Sequence, residues 1–409
     1  MILPKCVLIY LCGYLQKRDI LNLSLVSKDF RRKINYFIND KYFYNCGIKS
    51  ASGFYIDFSS GIIDYTRINV ISNFPVKLNN FKNLVSLIMN FNRKIIVNLP
   101  TLKYLKFGDN FMETIDGFNC KNLLTLEFGY FFNRPITFQY PYLQRLKFGN
   151  NFNQKLSFNL SCLKYLRFGN DFNRSLKEAN CENLETLIFG SQFNQPLREY
   201  EKLSKLIFGA AFNQIIKSEI PNVKKISFGR CFDHPIVFKS KLEKLQIDGI
   251  FNLDLNLNNF EFLTHVMISG DFDKKLNISL LFLEELDLGC SRFDSALILQ
   301  CPELKKLKLS PYFNRRLDLF CGKLISIIFG SCFNKPVNQL PESLKELKFG
   351  GNFNQSIDYL PINLEYLFLC KNFDKPLSTF LKRAKNLKHL VIDSGIIIPY
   401  EDLIHTKLF

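Results

Sequence analysis

The chain has 409 residues, 47% of them hydrophobic, with 43 Phe, no Trp and a net charge of +17. That length and apolar content suffice for a large core, while no run reaches the roughly 18 apolar residues of a membrane span. The charge favours acidic partners, but Lys is scattered along the whole chain rather than gathered with Arg and aromatic rings in one patch, so nucleic acid is not the expected partner.

The first nineteen residues imitate a secretory signal, with Lys5 ahead of a mostly apolar stretch. No small-x-small cleavage site follows, and the charged Lys17-Arg18-Asp19 comes at once, so no leader is expected. Val7, Leu8, Leu11 and Leu15 share one helical face, and Ile20, Leu23, Val26 and Phe30 make a second at three-to-four spacing. Asp19 is placed to cap that second helix, and Ser27 to cap a third that carries Phe30, Ile34 and Phe37. With Leu3, Ile9, Leu21 and Leu25 added, three short helices carry more apolar surface than they can hide among themselves. Part of it is expected to dock elsewhere, on a partner or on the end of the following domain.

The wording of residues 3–34 resembles an F-box. Leu3-Pro4, Leu15, Asp19, the run Leu23-Ser24-Leu25-Val26-Ser27-Lys28 and Phe30-Arg31 match that family's pattern. Cys6 stands where an acidic residue is usual, and Gly13 is a poor residue inside a helix. The resemblance implies that residues 1–45 bind the Skp-type adaptor of a cullin-RING ubiquitin ligase, with Leu3, Pro4, Leu8, Leu11, Leu15 and Val26 as contact residues.

From residue 84 to 377 one phrase recurs, clearest in LQRLKFGNNFNQKL from Leu143 and LKELKFGGNFNQSI from Leu344. Its marker Phe falls at Phe91, Phe111, Phe132, Phe152, Phe172, Phe193, Phe212, Phe232, Phe251, Phe272, Phe293, Phe313, Phe333, Phe353 and Phe373, at intervals of 19, 20 or 21 residues. A fixed period this short means a stacked solenoid. Residues 46–83 keep only traces of the phrase, such as Phe74-Pro75, and suit atypical capping coils. L-x-x-L-x-F reads as a short inward-facing strand, and the Gly after it marks a tight bend. The Pro that often opens a unit cannot sit within a central strand. A coil of about 20 residues leaves its return limb extended or in turns, and it folds only by stacking on its neighbours, so successive strands should build one parallel sheet. Residues 378–409 are expected to cap the far end.

After the marker Phe comes Asn in ten units, Asp in four (Asp233, Asp273, Asp294, Asp374) and Met112 in one. Asn and Asp share only the ability to accept a hydrogen bond. Several units carry Pro two residues after that Asn or Asp, where no N–H is available, so the acceptor is expected to serve a neighbouring coil. The expectation is a ladder of these side chains inside the solenoid.

The phrase F-N-x-P-I resembles the FNIP repeat family, which is similar to the leucine-rich repeats, over about residues 84 to 377. An F-box followed by such repeats resembles the substrate receptors of Skp–cullin–F-box ligases, as found in amoebae and their giant viruses. This implies a location in the cytoplasm, that of the host if the chain is viral. A repeat scaffold without ligase coupling is the alternative. The residues flanking the second Leu of each strand should face outward. Tyr104, Lys106, Arg145, Lys147, Tyr165 and Arg167 form a basic-aromatic block suited to an acidic protein target. Ile188, Lys205, Ile207 and Lys225 follow, then Glu285 and Asp287, then Lys306 and Lys308.

No catalytic residue, metal ligand or cofactor is expected. His234, His265, His389 and His405 lack partners at motif spacing, and no phosphate loop or nucleophile elbow occurs. The twelve Cys form no CxxC. Cys120, Cys181, Cys301, Cys321, Cys290 and Cys370 recur in phase with the repeats, as buried, reduced small hydrophobes would.

Overall fold

A computed structural model describes residues 67–70, 84–90, 92–94, 96–137, 140–217, 220–392 and 396–399. The chain divides into two compact units, Met1–Gly129 and Tyr130–Phe409, a division that falls within the repeats. In the first unit the strands Arg67–Val70, Ser86–Met89, Tyr104–Phe107 and Thr125–Glu127 pair in parallel, and Leu87, Leu105 and Leu126 share one register.

In the second unit parallel pairing runs from Arg145–Lys147 through Tyr165–Arg167, Thr186–Ile188, Lys205–Ile207, Lys225–Phe228, Lys244–Asp248, His265–Gly270 and Glu285–Ser291. It continues through Lys306–Lys308, Ser326–Ile328, Glu346–Lys348 and Tyr366–Leu369 to His389–Ile392. Ile396–Pro399 then pairs antiparallel with His389–Ile392. In the three-residue strands one central apolar side chain, such as Leu146, Leu166, Leu187 or Leu206, is fully buried between outward neighbours, and the longer strands such as His265–Gly270 bury two. The return limbs are mostly irregular, with one small parallel sheet of Leu276–Ile278, Leu297–Leu299 and Asp318–Leu319. A 3-10 turn at Leu257–Asn259 and a helix at Ser378–Arg383 interrupt this pattern.

The marker Phe residues fill one slot repeated from coil to coil. From Phe132 to Phe373 each ring lies over the next at centroid distances of 5.9 to 6.2 Å. The strand Phe of the same coil stacks on it more closely, as in Phe168–Phe172 and Phe349–Phe353, both at 3.6 Å. Midway along the unit Ile247, Ile268, Leu288 and Leu309 take the strand position, so this second aromatic column is broken while the marker column continues. Phe91 lies outside the described residues.

The ladder of acceptors exists, but at the surface rather than inside. The side-chain oxygen of Asn133 accepts the backbone N–H of Asn153, Asn153 accepts that of Asn173, and the pattern continues through Asn194, Asn213, Asp233 and Asn252 at 2.9 to 3.1 Å. It resumes from Asp273 through Asp294, Asn314, Asn334 and Asn354 to Asp374 at 2.8 to 3.2 Å. In the first unit Asn92 serves Met112 in the same way. Met112 has no side-chain oxygen, but its N–H can still receive the rung from Asn92. Gln at the next position donates to the same oxygen, as Gln154 does to Asn133 and Gln214 to Asn194. The side chains are half-buried or exposed because the bend they secure lies outside the Phe column.

The Gly that ends most strands is needed for a reason other than a bend. A Cβ on Gly190 would lie 1.9 Å from the Gly169 carbonyl oxygen, so the constraint is the backbone of the preceding coil. Left-handed φ occurs only at Gly249 and Gly270 among the described glycines. Cys120, Cys181, Cys301, Cys321 and Cys370 are buried and free of disulfides. Burial pushes the Cys120 thiol up to about 12 and that of Cys301 to about 11, so both stay protonated. Cys290 corrects the expectation, for it is exposed. The register between the strands His265–Gly270 and Glu285–Ser291 shifts after Met267, and the bulge turns Cys290 outward.

Candidate protein-binding face

Alternation along each strand places the residues on either side of the buried Leu on the outer face of the sheet. The strand Arg145–Lys147 sets Arg145 beside Tyr165 and Lys147 beside Arg167 on the next coil. The Arg145 guanidinium lies over the Tyr165 ring, 3.7 Å from its centroid, a cation–π contact that holds the arginine against the next coil. Four of the six expected target-binding residues are thus brought together on two adjacent strands of the second unit. Tyr104 and Lys106 are on the first unit's strand Tyr104–Phe107, where Lys106 is in register with Glu127. A carboxylate is therefore close at hand for Lys106. The expected adaptor contacts Leu3, Pro4, Leu8, Leu11, Leu15 and Val26 lie outside the described residues, as does His405.

Further along, charged residues just ahead of several strands pair with the adjacent coil. Lys164 meets Glu185 at 3.1 Å, Lys224 meets Glu243 at 2.7 Å, Lys305 meets Glu284 at 3.1 Å, and Lys345 meets Glu365 at 2.9 Å. Lys388 donates to the other oxygen of Glu365. Hydrogen bonds from Lys388 and then Lys345 hold the Glu365 carboxyl down at about 2. Pairs this open to solvent add little stability. Their main effect is to neutralise the face. Lys308 likewise reaches Asp287 at 3.4 Å.

One feature of this face is not evident along the sequence. In register at the position before the buried apolar residue stand Lys205, Lys225 and Lys244, followed by His265. Comparing that position down the column of repeats, rather than along each strand, is the signal that would have found it. Among the described residues no group of three or more His, Cys, Asp or Glu side chains could hold a metal ion. No helix among them is long and apolar enough to cross a membrane.

Residues 333–372 match the model of the FNIP Repeat family. Among solved structures, the chain is similar to CroV588, described as a novel circular LRR protein structure. The two are 28% identical with a TM-score of 0.66, over 77% of this chain, and the match spans only 54% of the CroV588 chain. A leucine-rich repeat protein from Bacteroides ovatus aligns over 80% of this chain and 91% of its own, at 13% identity and a TM-score of 0.20, too low to equate the folds. No curated protein matches. Stacked coils, an F-N phrase that in residues 333–372 matches a family model and a solved structure with similar coils together make this a repeat protein, a mainly β solenoid similar to the leucine-rich repeats.

Proposed function

We propose that the chain is a non-enzymatic protein receptor, its solenoid holding a target and its N-terminal segment docking a Skp-type adaptor of a cullin-RING ubiquitin ligase. The observation that carries the target-binding half is the contrast between the two faces of the sheet. Inward residues repeat from coil to coil along the whole array, whereas the outward residues change character along it and include the Arg145–Tyr165 pair. A surface of that kind suits one protein partner, because its pattern is not itself periodic. The adaptor half rests on the F-box resemblance of residues 3–34 and on their apolar stripes.

Two experiments test the halves separately. Retention of the Skp-type adaptor by the full chain, lost on Leu15→Asp or Val26→Asp, supports ligase coupling; no retention by the unaltered chain leaves a scaffold. Reversing Arg145, Lys147 and Arg167 to Glu should abolish capture of an acidic target. Undiminished capture by that variant removes this block as the target site.

A further inference from the structure

We infer that Lys205, Lys225 and Lys244, with Ile188 and Ile207 beside them, form a binding platform for an acidic, partly apolar peptide segment of a protein partner. The inference rests on reading the solenoid as protein-binding and is independent of ligase coupling.

The three lysines occupy one register position on three consecutive strands. Neighbouring strands lie about 4.8 Å apart, so the row spans about 10 Å. Like charges directly opposite each other in a sheet are destabilising. Lys205 and Lys225 are moreover half-buried, which lessens the relief that water can give. None of the three makes an ion pair among the described residues. The nearby carboxylates are engaged elsewhere: Glu185 by Lys164, Glu243 by Lys224, and Asp248 by the Gln246 amide at 2.8 Å and the Ser269 hydroxyl at 2.6 Å.

The same register position further along shows that the fold does not demand this. Glu285, Lys306, Ser326 and Glu346 occupy it there, with opposite charges set side by side. A run of one sign with no counter-charge is complementary to a cluster of two or three carboxylates supplied from outside. Ile188 and Ile207, one in register with the other and half-buried, border the row on its strand-end side and offer apolar contact. The three lysines and two isoleucines include no Arg and no ring for base stacking, which favours a peptide over single-stranded nucleic acid.

The test uses the full chain and fluorescence anisotropy with three labelled probes: a short peptide alternating Glu and Leu, the same peptide with Lys for Glu, and poly-uridylate. The acidic peptide should bind and the basic one should not. The triple variant Lys205→Ser, Lys225→Ser, Lys244→Ser should weaken acidic-peptide binding by roughly tenfold or more. The charge-matched control Lys306→Ser, Lys308→Ser, Lys348→Ser should change it by less than about twofold. A melting temperature of the first triple variant at or above that of the unaltered chain confirms that lost binding is not lost folding. Equal weakening by both triples, no binding of the acidic peptide, or tighter binding of poly-uridylate that the lysine variant removes would each overturn the inference. Lysine-dependent peptide binding without adaptor retention leaves the platform standing and removes only the ligase coupling. Adaptor retention without peptide binding does the reverse.

Discussion

Inside the second unit each coil copies its neighbour, with Phe over Phe, Leu beside Leu and an Asn or Asp oxygen on the next backbone N–H. Outside, one register position carries Lys205, Lys225 and Lys244 in a row, whereas further along the same position holds Glu285, Lys306, Ser326 and Glu346, a mixture of signs. The difference teaches where each kind of constraint acts. Interior positions are set by stacking, since a side chain of another shape leaves a void bounded by rings about 6 Å away on both sides. Outward positions are set by solubility and by whatever binds there, so a departure from charge balance is tolerated only on that face.

The largest effect that would break this comparison is in the Phe column. Phe212 is fully buried, with Phe193 and Phe232 each at 6.1 Å and Phe208 at 3.6 Å. Phe212→Ala should destabilise the second unit by about 3–5 kcal/mol, read from urea denaturation, whereas Lys225→Ala should stay within about 0.5 kcal/mol or stabilise. A cost under about 1 kcal/mol at Phe212 would mean that the column is not what holds the coils.

Next in size is the acceptor ladder. Asn194 Oδ1 accepts both the Asn213 backbone N–H at 2.9 Å and the Gln214 amide at 3.0 Å. Asn194→Ala leaves two donors without that partner and should cost about 1–2 kcal/mol, less than full burial would imply because water reaches the site. Asn194→Asp should be close to neutral, since Asp233 and Asp294 fill the equivalent position and accept in the same way. Equal losses for both substitutions would show that the amide N–H of Asn194, not its oxygen, matters.

Much of the interior was legible because it is periodic. The marker Phe positions, the parallel strands and the need for an acceptor after the Phe all follow from residue types repeated at one spacing. What was not legible depends on departures from that period. The strand-end Gly is required by the preceding coil's carbonyl, as at Gly190, a contact between residues about twenty apart in sequence that local turn chemistry does not register. Cys290 was misplaced because a bulge in its own strand, with one residue more than the paired strand between Asp287 and Cys290, shifts the alternation there. On the outer face, Arg145, Lys147, Tyr165 and Arg167 were found because they are dense along two adjacent repeats. Lys244 was passed over although Leu242-x-x-Leu245 sets it at the position of Lys205 and Lys225, its coil departing from the phrase with Ile247-Asp248-Gly249 in place of Phe-Gly.

The smallest effect sharpens the outer-face half of the comparison through pH. Glu365, between Lys345 and Lys388, has its carboxyl held at about 2 against an ordinary value of 4.5. A carboxyl whose pKa is lower in the folded chain than in the unfolded one adds stability that is fully present above the unfolded value. That stability is lost as pH falls toward the folded value, because the unfolded chain takes up the proton first. The melting-temperature difference between the unaltered chain and Glu365→Gln should therefore be constant above about pH 5 and shrink between about pH 4.5 and 2. Added salt should reduce it at every pH, since both lysines are open to solvent. The same titration on Lys225→Ser should show no such window, because that lysine has no carboxylate partner among the described residues. A matching acid-range loss there would mean that the lysine run is paired after all.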